Sequence, residues 1–381
     1  MALCRPRSEG QTEISTSRSS INVGFYSDSV EWASAEIALG TLLAGLHEHV
    51  QATVIGVDET SVEHLSAYRP GSRAVVLPAP KGIRDFRNIA RHRREIAALK
   101  LDIFQENLTW LPACREAIVA ASTIPGLRLL AVEHLPLDCP GTRSRIMTHF
   151  TARRLDAHVA VGMAAARFIE LRAMLPRNSV RTIYNGVVDH GSVDDHRYSS
   201  GSTVIGCLAR LDHMKGLDLV LESLVDLPGA TFVVAGRGNE RAALEELAET
   251  LGVAPRVRIL DWVESPDQLI KTFDVFVLPS RAEGFPLSIL EAMLMGLPVV
   301  ATDVGSVHEA VQDGETGFVV KSGDVIGLTT ALRQLIDQPQ LRRRFGTRAR
   351  AVALERFSLA KMIEGYESLY DEMLGCSQLS E

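Results

Sequence analysis

The chain has 381 residues, 46% of them apolar and 23% charged, with a formal net charge of −7. That length exceeds the roughly 250–300 residues at which one hydrophobic core stops growing, so two domains are expected, and the balanced composition excludes a collagenous, disulfide-scaffold or wholly disordered chain. No run approaches the ~18 uninterrupted apolar residues of a membrane span, and an acidic chain with no aromatic-rich basic patch argues against nucleic acid as a partner.

The charge is unevenly placed. Residues 1–190 carry 22 Lys/Arg against 19 Asp/Glu and the remainder 18 against 28, so the halves stand at +3 and −10 and face different partners. The five cysteines, Cys4, Cys114, Cys139, Cys207 and Cys376, include no C-x-x-C pair. They read as free thiols of a reducing cytosol, not as a zinc or disulfide framework. A cytoplasmic location is the expectation.

In chain order, residues 1–20 are polar without the apolar segment of a signal peptide and read as a disordered tail. From Ile21 short β-rich apolar runs alternate with helical patterns, as in parallel α/β layers. Strands are predicted at 21–26, 52–57, 101–105, 127–132, 156–161 and 180–184, with amphipathic helices at 33–46 and 85–99. The polar, Ser/Gly-rich stretch at 191–202 reads as a linker. A second series follows, with strands at 203–208, 230–235, 257–260, 275–278, 298–301 and 317–320. The domains are therefore 21–190 and 203–356, each a doubly wound sheet, with an amphipathic segment at 357–381 after them. Ligands of open α/β sheets bind outside the carboxyl ends of the strands.

Three segments in the second half carry chemistry. VIGCLARLDHMKG places Arg210 and Lys215 between a strand and a helix, a fork and a point charge suited to a diphosphate. Gly236-Arg237-Gly238 closes the next strand, where glycine lets a ligand approach the backbone. In PSRAEGFPLSILEAMLMG, Glu283 and Glu291 flank a Gly-Phe-Pro turn, and Pro286 suits a helix start whose amides bind phosphate. Glu283 then reaches polar hydroxyls and Glu291 a ribose. Taken singly, the same residues also read as a solvated basic turn, a surface loop acid and a solvated helical acid.

Taken together, R-x4-K-G, G-x-G, E-G-F-P-x4-E-A-M, GLPVVATDVG with Glu309, and DGETGFVV resemble the retaining GT-B glycosyltransferases of family 4 across roughly Ile205 to Val320. The resemblance implies an α/β fold of two Rossmann-like domains facing a cleft, with the last helix crossing back onto the first domain. It implies that Arg210, Lys215 and the turn Gly284, Phe285, Pro286 and Leu287 hold the donor diphosphate. Glu283 would contact the transferred sugar, Glu291 the ribose, and Asp261, Trp262 and Val263 would lie near the base. In AVEHLP, His134 occupies the place of the family's active-site histidine, and Asn185-Gly186-Val187 resembles its interdomain N-G-V. Where relatives carry a Gly-Gly pair after the first strand, this chain has Ala33-Ser34. Ser34 and Glu36 are then the acceptor and phosphate loop, which puts the acceptor side in doubt more than the donor side.

The implied partners are a nucleotide-sugar donor, UDP-linked hexose or N-acetylhexosamine first, and a glycan or lipid-linked acceptor of envelope or polysaccharide synthesis. No cofactor is implied. The chain holds no D-x-D and no metal-ligand spacing, so transfer is expected to be metal-independent and retaining, by front-face attack. Lys81 to Lys100, with seven Lys/Arg, is either a peripheral membrane contact or a solvated outer helix. A GT-B epimerase or phosphorylase and a non-catalytic nucleotide-sugar-binding subunit remain open. A dinucleotide-dependent dehydrogenase does not, because neither domain opens with G-x-G-x-x-G.

Overall fold

The computed structural model describes residues 20–30, 32–109, 111, 113–135, 137, 141–192, 202–263 and 265–375. The expected tail, all but Ser20, and positions 193–201 of the expected linker lie outside the described residues, as do Cys4, Cys139 and Cys376. Cys114 and Cys207 are buried, unbridged thiols.

The first sheet contains β1 (Ile21–Ser27), β2 (Val50–Gly56), β3 (Arg73–Val76), β4 (Ile103–Leu108), β5 (Arg128–Glu133), β6 (Ala157–Ala160) and β7 (Arg181–Thr182), in the order β3-β2-β1-β4-β5-β6-β7. The second contains β8 (Thr203–Leu208), β9 (Ala230–Ala235), β10 (Val257–Leu260), β11 (Val275–Leu278), β12 (Val299–Thr302) and β13 (Gly317–Val320), in the order β10-β9-β8-β11-β12-β13. Every pairing is parallel. The central strands read as near-continuous apolar runs because helices cover both faces of a parallel sheet. β3 was not predicted: it is a four-residue edge strand, mostly exposed, and lacks that apolar signal.

Helices α1 (Ser34–Gly45), α2 (Glu59–Ala67), α3 (Phe86–Ala98), α4 (Arg115–Ala121), α5 (Gly141–Ala152) and α6 (Met163–Arg172) flank the first sheet. The second carries α7 (Leu217–Leu224), α8 (Arg241–Thr250), α9 (Pro266–Ile270), α10 (Leu287–Leu294), α11 (Val307–Ala310), α12 (Val325–Asp337) and α13 (Pro339–Arg356), and α14 (Leu359–Met373) follows. In both sheets the strand order reverses beside the first strand, between β1 and β4 and between β8 and β11. Loops after these strands splay apart and leave a crevice there.

The chain crosses between the sheets twice, and the crossings lie side by side. Val187 N donates to Phe357 O and Leu359 N to Val187 O, both at 3.1 Å. Gly186 is required at this contact, since a Cβ there would stand 2.7 Å from Ser358 O. After the second crossing α14 runs back over α1. Its apolar stripe, Met362, Ile363, Tyr366, Leu369 and Tyr370, is buried. Glu367 accepts from both the backbone N and the ring Nδ1 of His47 at 2.9 Å, and Tyr370 Oη donates to the buried Gln105 Oε1 at 2.6 Å.

That last bond crosses from α14 into β4, so its loss strands a buried amide oxygen. Tyr370→Phe is expected to lower unfolding stability by about 1–3 kcal/mol, read by chemical denaturation, with no change in the slope of the transition.

Candidate active site

The crevice of the second sheet is built by the loops after β8 and β11, and they bring two sequence-distant charges together. Lys215 Nζ lies 2.6 Å from Glu283 Oε1, and the buried Ser280 Oγ donates to the same oxygen at 2.7 Å. Local chemistry dictates the meeting. Gly216 has φ +64°, and a Cβ there would lie 2.2 Å from Pro279 O, so only glycine lets the turn carrying Lys215 approach β11 this closely. Arg281 N donates to Met214 O at 2.7 Å, and its guanidinium forks onto Asp218 at 2.9 and 2.6 Å. The two loops are thus stitched on both sides of the ion pair. An ammonium has three donors, so Lys215 can hold Glu283 and still donate to a phosphate.

Arg210, the expected partner of Lys215, sits exposed at the rim, where its Nη2 lies 3.0 Å from Asp212 Oδ2. α10 begins immediately after the Gly-Phe-Pro turn, and no side chain caps its N-terminus. The side chains of Phe285 and Leu287 are buried. What these two residues can offer a ligand is therefore their backbone, in keeping with the expectation that the turn acts through its amides. Phe285 instead packs in a ring cluster with Tyr184 and Phe357, at centroid distances of 5.0 and 5.2 Å, and its carbonyl accepts from Asn185 Nδ2 at 3.0 Å. Asn185 thus ties the crossing to the Gly-Phe-Pro turn.

Glu291 lies on α10, half-buried. Burial pushes its carboxyl up to about 7, and the repulsion of Asp267 adds to the shift. Asp261 is spent on Arg241 at 3.0 Å; Trp262 is 50% exposed beside it, and Val263 is half-buried. All three occupy the loop after the edge strand β10. The glycines of Gly236-Arg237-Gly238 do not serve a ligand in the way expected. Cβ atoms there would lie 1.9 Å from Ala209 O and 2.1 Å from Leu211 O, so these glycines admit the neighbouring β8 loop.

From the first domain, His134 follows β5. Both ring nitrogens are buried with no hydrogen-bond partner among the described residues, and burial lowers the ring pKa to about 4. The ring is neutral at physiological pH, able to donate or accept a hydrogen bond but a weak base. Its backbone meets the donor turn directly: a Cβ on Gly284 would fall 1.9 Å from His134 O. On the other wall, Ser34 is exposed, while Glu36 is buried and turned onto its own helix, accepting from Ala33 N at 3.1 Å. Burial raises the Glu36 carboxyl above the usual range. Its observed role is to cap α1, and Ser34 is the exposed member of the expected pair.

The sequence reasoning brought Lys215, Glu283, Gly284 and His134 into one site. It missed Ser280 and Asp212, which fix Glu283 and Arg210, because a serine or aspartate in a strand-to-helix loop has no distinguishing pattern. It also gave no role to Ser306 and Glu309, which reach across the cleft.

With this geometry in view, the family described as glycosyl transferases group 1 matches residues 193–352. The lipopolysaccharide core biosynthesis mannosyltransferase LpcC of Rhizobium leguminosarum bv. viciae is 30% identical over 272 residues, 66% of this chain and 75% of that one. The chain belongs to the glycosyl transferases group 1 family. N-acetyl-alpha-D-glucosaminyl L-malate synthase of Bacillus anthracis is 27% identical over 210 residues, covering 52% of this chain and 55% of its own length. The chain thus spans little more than half of several curated relatives, among them LpsE of Rhizobium meliloti at 53%. Among solved structures, HepE of Anabaena in complex with UDP superposes with a TM-score of 0.79 at 21% identity, over 92% of this chain and 100% of that one. TarM gives 0.77 at 14%, over 92% and 99%. The fold is GT-B.

A carboxyl whose pKa rises on folding binds more protons in the native than in the unfolded state between about pH 4.5 and 7, so stability falls as pH rises through that window. Glu291→Gln removes the penalty. The variant is expected to be more stable than the parent at pH 8 by about 1–2 kcal/mol, less than the full shift would give because the group is only half-buried, and to match it at pH 4. Thermal denaturation at both pH values reads the difference.

Proposed function

We propose that the chain transfers a hexosyl or N-acetylhexosaminyl group from a nucleotide sugar, UDP-linked in the first instance, to a sugar or lipid-linked acceptor of envelope or polysaccharide synthesis. The observation that carries this reading is the Lys215–Glu283 pair at the switch point of the second sheet, directly before the uncapped N-terminus of α10. A cation and a row of amides at one spot suit a diphosphate. A carboxylate fixed beside them by Lys215 and Ser280 suits sugar hydroxyls. Arg210 joins the clamp from the rim, Glu291 accepts from the ribose, and the exposed Trp262 offers a face to the base. Relatives named for lipopolysaccharide core synthesis and neighbours solved with UDP support the same substrate class.

The chemistry follows from what each group has left to give. Departing diphosphate charge is met by Lys215, Arg210 and the α10 amides, preorganised before reaction. Glu283 is fixed by Lys215 and Ser280, which suits orientation of the sugar and not attack on it. His134, neutral and buried, donates to a sugar hydroxyl. A donor phosphate oxygen takes the acceptor proton on the face the leaving group vacates, and configuration is retained.

The outer helix of the first domain suggests where the acceptor is met. On α3, Arg87, Arg91 and Arg94 recur at spacings of four and three and are exposed, as is Phe86 at 75%, while His92 and Ile96 are buried. This stripe fits an anionic lipid surface.

Two measurements test the reading. UDP- and GDP-sugars titrated in EDTA should show one donor binding, with Lys215→Ala and Glu291→Ala each weakening it at least tenfold; no binding to wild type, or variants that bind as wild type does, would remove the assignment. Sedimentation with phosphatidylglycerol vesicles should capture the protein, phosphatidylcholine vesicles should not, and Arg87→Glu with Arg91→Glu should abolish capture.

A further inference from the structure

Glu309 belongs to the second domain, yet its carboxylate is spent entirely on the first. Oε2 accepts from Met163 N at 2.8 Å and Oε1 from Ala164 N at 2.7 Å, and Tyr184 Oη donates to Oε2 at 2.9 Å. Ser306 Oγ accepts from the next amide, Ala165 N, at 3.2 Å. The first amides of a helix have no partners inside it, and those of the ten-residue α6 are met by side chains of the opposite domain. α6 is anchored in the first domain, where Ala165, Ala166 and Ile169 pack with Ala160 and Val180. The carboxylate also sits at the positive end of the α6 dipole. Gly162 makes the approach possible, since a Cβ there would lie 2.1 Å from Ser306 Oγ.

The loop that carries Glu309 also supports the donor turn from behind. Ser306 N donates to Gly284 O at 2.9 Å. Gly305, at φ +54°, packs where a Cβ would stand 2.0 Å from Glu283 O. Arg356, at the second crossing, donates to Glu309 O at 3.2 Å and lies over the Tyr184 ring at 5.7 Å. One loop therefore holds α6 of the first domain with one side and Glu283–Gly284 with the other.

We infer that Glu309 is an interdomain latch, a positioning residue whose carboxylate on the α6 N-terminus sets the closed spacing between His134 and Glu283. Only the two crossings link the domains covalently, so a rotation about them must stretch these bonds. Charge-assisted bonds of this kind are the stronger class, and losing all three shifts a closed-to-open ratio by about 100-fold or more. The effect on catalysis rests on the glycosyltransferase reading, whereas the effect on domain spacing does not.

The test compares Glu309→Ala, Glu309→Gln and Met163→Pro in the full chain. Proline is tolerated at the first helical position, and Gly162 already has the extended backbone that a residue before proline adopts. Met163→Pro therefore replaces one latch donor with a ring carbon that pushes Glu309 Oε2 away, opening the contact without substituting the glutamate. Small-angle scattering in the presence of the UDP-sugar should show an expanded particle for Glu309→Ala and for Met163→Pro, a smaller expansion for Glu309→Gln, and no further change when Met163→Pro is added to Glu309→Ala. Donor Kd should stay within about twofold while kcat for transfer falls about tenfold or more, with partial rescue in Glu309→Gln. Unchanged scattering and kcat in Glu309→Ala would overturn the latch, and so would a loss of donor affinity, which would put the residue's role inside the second domain. If Glu309→Ala does not fold, Met163→Pro carries the same comparison alone. If wild type binds no nucleotide sugar but the variants still expand, the latch stands and the transferase reading falls.

Discussion

Two parallel sheets that face each other by their carboxyl ends can build a site only where their loops touch, and here they touch at a residue with no side chain. Gly284 lies against the His134 carbonyl on one side, with no room for a methyl group. On the other side it is hydrogen-bonded by Ser306. Its neighbours are held as firmly: Glu283 by Lys215 and Ser280, Phe285 by Asn185 and two aromatic rings. A turn fixed from four directions holds its amides in place before any ligand arrives, which is the condition for electrostatic preorganisation.

The charge of the site differs from what the domain carrying it suggests. The second half of the chain stands at −10, but its acids near the crevice are balanced in different ways. Glu283 is paired with Lys215, Asp212 is paired with Arg210, and burial lifts Glu291 toward neutrality. The paired charges cancel, which leaves the amides at the uncapped N-terminus of α10 as the bias toward an anion. Net charge governs solubility and encounter; burial and pairing decide the field that a substrate meets.

The first domain contributes less charge and more shape. His134 is kept neutral by burial, and the loop after β1 spends Glu36 on capping α1. Where glycines would leave an open, flexible loop, Ala33 and Ser34 lead directly into a helix. On this wall Ser34 is exposed where Glu36 is not.

Strand and helix periods, and the short list of residues able to handle a diphosphate, are properties of local sequence. For that reason twelve of the thirteen strands, the helices α1, α3, α10 and α14, and Lys215 and Glu283 as separate candidates were legible before the fold was known, while their contact was not. β3 was not, because an exposed four-residue edge strand buries too little to need an apolar run. The glycines at 236 and 238 were misread, because sequence cannot tell whether the atom that comes close belongs to a ligand or to the neighbouring loop. The roles of Ser280, Ser306 and Glu309 were settled only by tertiary structure. Ser280 meets Glu283 inside a loop that has no period of its own, and the partners of Ser306 and Glu309 lie in the other domain, more than a hundred positions away. Local sequence determined which groups this protein could bring to a site; the packing of one domain against the other decided which of them meet.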